Sequence, residues 1–143
     1  MNVTKRIKLD FGRSTSPVVV WAKQGDSNSR KIEVEPMLNG MAYTLPAGIS
    51  AKLACKRPDG HKISGSSSGI NNNVITVTLN SKVLKIAGEI IATVILVDNS
   101  DESILSAQNF IIIAEENPFF DGEENPDDGD GEIETYTGEV EVV

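Results

Sequence analysis

The chain has 143 residues, 39% of them hydrophobic and 24% charged, enough for one domain with one core and too short for two. Its net charge of −8 sits in one segment: residues 121–143 hold ten carboxylates and no base, while residues 1–120 hold thirteen bases against eleven acids. That near-neutral body lacks the dense basic patch of a nucleic-acid binder; the longest apolar run, Ile90 to Val97, is far too short to span a membrane. A single cysteine, Cys55, excludes an internal disulfide and suits synthesis in a reducing cytoplasm.

In chain order the dominant period is two rather than 3.6. Val3, Ile7, Leu9 and Phe11 alternate with mostly polar neighbours. After Pro17, the run Val18-Val19-Val20-Trp21 reads as a buried strand, with Trp21 at the edge of the core. Ile32, Val34 and Leu38 alternate with Lys31, Glu33 and Glu35, and Pro36 among them suggests an edge strand or a bulge. Asn39-Gly40 is a strong hairpin signal. Ala51, Leu53 and Cys55 mark the next strand, closed by the Pro58-Asp59-Gly60 turn. Ser64 to Gly69 reads as a polar loop, and Ile75, Val77 and Leu79 as a half-buried strand. Asn80 as an N-cap and Gly88 as a stop bracket about two turns of helix over Ser81–Ala87, a cross-over between strands. Two longer strands, Glu89–Val97 and Ser103–Ala114, are joined by a hairpin at Asp98–Asp101.

Some eight short strands predict an all-β fold, a β-sandwich (Ig-like or jelly-roll-like) over residues 1–118 with that one short cross-over helix. Val18, Val20, Leu53, Ile75, Val77, Val94, Leu96 and Phe110 are the expected core. Residues 119–143 form an acidic C-terminal tail that cannot bury enough apolar surface to fold unaided.

Chemistry-bearing constellations are scarce. The sole histidine, His61, reads as a solvated turn residue, and one His with one Cys cannot make a structural zinc site. No Gly-x-Ser-x-Gly elbow supports a triad. Aligning Gly131 with the invariant glycine of an EF-hand loop puts Asp128 and Asp130 at ligand positions, but Pro126 and Thr137 fall where the anchoring carboxylates belong. No catalytic, cofactor-binding or metal-binding residue is expected, and no cofactor.

Four stretches occur in order: Lys23-Gln24-Gly25-Asp26-Ser27 with Arg30; Asn39-Gly40 with Tyr43 and Leu45; Lys56-Arg57-Pro58-Asp59-Gly60; and Ile104-Leu105-Ser106 through Phe110 to Glu115-Glu116-Asn117-Pro118. Over roughly residues 5–118 the chain resembles the N-terminal domain of phage baseplate upper proteins, the BppU family. That resemblance implies a virion structural protein, not an enzyme: a β-rich domain that docks onto the phage particle, with other virion proteins as partners and a homo-oligomer, as a trimer, within the particle. Members usually continue into helical segments that trimerise and carry receptor-binding proteins; here an acidic segment follows. A capsid decoration or head-fibre attachment protein built on the same domain is the alternative. A carbohydrate-binding module comes third, because Trp21, Tyr43 and Tyr136 make a poor sugar platform.

The expected contacts lie in two places. One is the polar connection Gln24, Gly25, Asp26 and Arg30, expected to be exposed at one end of the sandwich. The other is the tail, where Asp127, Asp128 and Asp130 would meet a basic surface on another chain. Val140 and Val142 there would add as a strand to an exposed sheet edge.

Overall fold

The computed structural model describes residues 1–67 and 69–120. Alternation of period two becomes eleven strands among them: β1 (Val3–Asp10), β2 (Val19–Lys23), β3 (Arg30–Leu38), β4 (Met41–Ala42), β5 (Ile49–Lys56), β6 (Lys62–Ser67), β7 (Gly69–Asn71), β8 (Val74–Leu79), β9 (Gly88–Asp98), β10 (Ile104–Ser106) and β11 (Phe110–Glu115). They form two mixed sheets. The first runs β1-β3-β8-β7 with β4 paired to β3, the second β2-β11-β9-β5-β6 with β10 paired to β9. Two pairs, β1 with β3 and β2 with β11, are parallel; the rest are antiparallel.

Strands β2, β3, β5, β8, β9 and β11 bury every second residue, so the sheets face each other across one core. Ile7, Leu9, Ile32, Val34, Ile75, Val77 and Leu79 fill it from the first sheet. Val20, Leu53, Ile63, Ile90, Val94, Leu96, Phe110 and Ile112 fill it from the second. The expected core residues are all buried except Val18, which is partly buried against the cluster.

Several expectations change. No helix forms over 81–87. Asn80 does cap the segment, accepting the Val83 N–H on Oδ1 at 3.0 Å, and Leu84 N–H reaches the Asn80 carbonyl at 3.3 Å. The turn then stops, because Val83, Leu84 and Lys85 are all buried, and three consecutive inward side chains cannot share one helical stripe. The Ser64–Gly69 stretch is not a loop: β6 carries pairing through Ser67 and β7 starts at Gly69, an edge of each sheet. Edge pairing needs only backbone groups, so the polar sequence gave no apolar pattern to read. The expected strand Ser103–Ala114 is broken after Ser106, and the register to β9 moves by one residue between β10 and β11. Gln108 causes the break by turning inward: its Oε1 accepts the Asp10 N–H and its N–H donates to the Asp10 carbonyl, both at 2.8 Å. Pro36 lies inside an inner strand, but beyond Val34, the last residue β3 pairs with β8, where its missing N–H costs no ladder bond.

Candidate functional site

The connection from β2 to β3 folds inward. Gln24 N–H extends the β2–β11 ladder by donating to the Glu115 carbonyl at 2.8 Å. The buried Gln24 side chain donates from Nε2 to the Lys85 carbonyl (3.1 Å) and accepts the Asn117 N–H on Oε1 (3.2 Å). Asn117 Nδ2 returns a bond to the Gln24 carbonyl at 3.3 Å. Gly25 donates to the Leu84 carbonyl at 2.9 Å. Its φ of +90° and the Phe120 ring, 2.7 Å from where a Cβ would stand, reserve the position for glycine. Asp26 and Arg30 are half-buried in a 2.6 Å ion pair with each other. Only Ser27 and Asn28 of the connection are fully exposed. Exposure therefore fails for Gln24, because its amide satisfies backbone groups at a junction of three chain segments that water does not reach.

The turn after β5 is tied to the same junction. Arg57 is buried and forks onto Asp59 through Nε (3.1 Å) and Nη2 (2.8 Å), while Nη1 donates to the Lys82 carbonyl at 3.1 Å. His61, expected to be solvated, is half-buried here. Its N–H donates to Asp59 Oδ1 at 3.2 Å, and Nδ1 lies 3.0 Å from Asp59 Oδ2 and 3.1 Å from Arg57 Nη2. Burial alone would raise the Asp59 carboxyl, but the bonds from Arg57 and His61 outweigh it and hold it at about 2. Burial pushes the Cys55 thiol up to about 12, so it stays protonated at neutral pH and is no nucleophile.

At Asp10 a third knot closes the first sheet. Asn39 (φ 51°) and Gly40 (φ 88°) make a two-residue turn of type I′ between β3 and β4. The buried Asp10 carboxylate accepts four backbone N–H groups around it: Gly12 at 2.8 Å, Arg13 at 3.0 Å, Asn39 at 2.9 Å and Gly40 at 2.8 Å. Desolvation opposes ionisation, yet those four donors draw its carboxyl down to about 2. Tyr43 packs on Phe11, ring centroids 6.3 Å apart, and is half-buried, so it forms no platform with Trp21.

The open surface lies on the outer face of the second sheet. Trp21 is 68% exposed, Val19 41% and Ile91 44%. The apolar run before Lys23 is thus half-buried, and Trp21 points away from the core it was expected to edge. Register aligns Val19, Ile111 and Ile91 in one row across β2, β11 and β9, continued by Lys56 on β5 and Lys62 on β6. Trp21 and Ile113 begin the next row, which ends on Glu89. A shallow hollow beside Ile91 is lined by Ala54, Thr93, Lys56 and Lys62. Lys23, Lys52, Lys56 and Lys62 outnumber Glu89 and Glu115 on this face, and Lys23 already sits 3.6 Å from Glu115. The face was missed because a run such as Ile111-Ile112-Ile113 looks buried on both sides. A chain of this length cannot build a third layer to cover it, and that was the available signal. Asp127, Asp128, Asp130, Val140 and Val142 lie outside the described residues.

A family model described as the BppU N-terminal domain matches residues 3–141. The chain belongs to the BppU family. It is therefore a phage baseplate structural domain, part of a virion and a neighbour of other virion proteins. No curated protein matches the chain. Among solved structures it is similar in fold to the N-terminal domain of phage TP901-1 ORF48, at 17% identity and a TM-score of 0.62, over 78% of this chain and 98% of that one.

The stretches that carry the BppU resemblance have structural tasks in this domain. Gln24-Gly25, Arg57 to Asp59 and Asn117 all converge on the turn at 80–85. Asn39-Gly40 is organised by Asp10, while Tyr43 and Leu45 pack against the core and are clamped by Asn73, whose Nδ2 donates to the Tyr43 carbonyl (2.9 Å) and whose Oδ1 accepts the Leu45 N–H (2.8 Å).

Proposed function

We propose that this BppU domain docks to another virion protein through the outer face of the second sheet. The observation that carries this reading is the row Val19–Ile111–Ile91 with Trp21 beside it, an apolar strip left in solvent and flanked by Lys56 and Lys62. Aromatic residues in the middle of such strips supply much of an interface's affinity, and flanking lysines favour a partner whose matching surface is apolar with an acidic rim. The Asp26–Arg30 pair, 28–29% exposed where the connection from β2 enters β3, would act at the rim of the contact. The test is incorporation of a Trp21→Ser chain into particles. Being exposed, the substitution should leave stability within about 0.5 kcal/mol of the native chain, while attachment weakens by about tenfold or more. Particles holding normal amounts of a stable Trp21→Ser chain would remove this face from docking.

A further inference from the structure

We propose that Asn39 is a latent site of spontaneous deamidation, kept closed by the Asp10 carboxylate through its hold on the Gly40 N–H. Asn39 is the only asparagine in the chain that is followed by glycine. That dipeptide is the least shielded against attack by its own backbone, because glycine brings no side chain to crowd the nitrogen next to the asparagine. The turn nevertheless demands it. φ is 51° at Asn39 and 88° at Gly40, and a type I′ turn needs both to be positive. Both residues are exposed, so water and hydroxide reach them.

The reaction is intramolecular. The Gly40 nitrogen gives its proton to solvent base and attacks Cγ of Asn39. The new N–Cγ bond forms, the Cγ–Nδ2 bond breaks, and ammonia leaves with a proton taken from water. Water then opens the succinimide at either carbonyl, leaving aspartate or isoaspartate at position 39. The structure opposes the first step. Gly40 N–H donates to Asp10 Oδ2 at 2.8 Å, so its deprotonation would set a negative nitrogen against a buried carboxylate. Asp10 does not take the proton itself, since a carboxyl that titrates at about 2 is too weak a base for an amide. The Asn39 carboxamide lies against Gly12, its Cγ 2.9 Å from where a Cβ would stand, and the Asn39 N–H is fixed on Asp10 Oδ1 at 2.9 Å. The Gly40 nitrogen therefore becomes a nucleophile only after it has left Asp10. That opening is local: β4 is two residues long and, among the described residues, pairs only with β3, so the turn detaches without unfolding the sandwich. Once changed, the turn does not return. Aspartate at position 39 sets a second carboxylate beside Asp10, and isoaspartate adds a backbone carbon to a two-residue turn.

The test incubates the full-length chain in mildly alkaline buffer and follows position 39 by peptide mapping in a mass spectrometer. The native chain should react about a hundredfold more slowly than the same chain in urea, the effect of one hydrogen bond to a charged group. Asp10→Asn, held at a temperature where circular dichroism shows it folded, should approach the rate in urea. Gly25→Ala, which loosens the opposite end of the domain and leaves the Asp10 contacts in place, should keep the native rate. Equal rates in the native and urea-unfolded chains would overturn the proposal. So would a Gly25→Ala rate that rises in step with its lost stability, because position 39 would then react only through global unfolding. A folded Asp10→Asn chain as slow as the native one would overturn it too, and the first two comparisons decide even if that variant does not fold. None of these outcomes bears on the docking face.

Discussion

Asp10 shows how one carboxylate replaces several weak local preferences. Four backbone donors from two segments converge on it, and Asp59 is held in a comparable way by Arg57 and His61. Both carboxyls titrate at about 2 in the folded domain, below the ordinary 3.8. Protons therefore bind the unfolded chain first. The stability these groups supply is complete above about pH 4 and is lost as the pH falls toward about 2. Thermal melts across that range should show the decline. Asp10→Asn should melt lower at neutral pH and give a shallower decline, the remainder belonging to Asp59. Arg30→Ala breaks a partly exposed pair with Asp26 and should cost about 1 kcal/mol or less in urea unfolding. If particles also carry normal amounts of that chain, the connection is only a turn. None of these residue roles was legible in the sequence beyond the turns themselves. Asp10 and Asn39 are far apart in the chain, and Gln24 and Arg57 look like solvated polar residues until the segments that satisfy them are adjacent.

Strands whose two faces differ in chemistry were read well, and strands whose faces are alike were not. Ile75, Val77 and Leu79 alternate with polar neighbours, and all three are buried as expected. In β2 and β11 apolar residues occupy both faces, so period two was hidden and the exposed side went unseen. The helix expected at 81–87 failed for a related reason: its cap signal was real, but the burial of three successive residues overrode it. Two substitutions test the element scale. Val94→Asp places an unpaired charge in the middle of β9, where Val94 is fully buried; a loss above about 4 kcal/mol, enough to unfold the domain, is expected in circular dichroism. Gly25→Ala forces a side chain into a left-handed conformation against the Phe120 ring. It should lower the urea midpoint by the equivalent of about 1–3 kcal/mol and loosen the junction at Asn117.

On the scale of the whole molecule, the sandwich was legible because one short chain with strong alternation has few other ways to bury its apolar side. Its mixed topology was not, since parallel partners such as β2 and β11 are brought together from opposite ends of the domain. That arrangement has a mechanical consequence. The chain leaves β11 next to its junction with Gln24, and it enters the fold through β1. Both ends lie at the end of the sandwich where β2 passes to β3: Val3 N–H donates to the Ser29 carbonyl, and the Glu115 carbonyl accepts the Gln24 N–H. A pull on the two ends therefore runs across the strands, and it peels β1 from β3 starting at Val3 and β11 from its neighbours starting at Glu115. A ladder peeled from one end opens one bond at a time, whereas all bonds in a sheared ladder must yield together. The hairpin between Asp98 and Ser103 lies at the opposite end, because β9 runs antiparallel to β11. Stretching single molecules by their ends should therefore give rupture at low force, and pulling between Val3 and that hairpin should give one rupture at much higher force. A baseplate component tugged through its two chain ends would yield strand by strand rather than resist as one clamp.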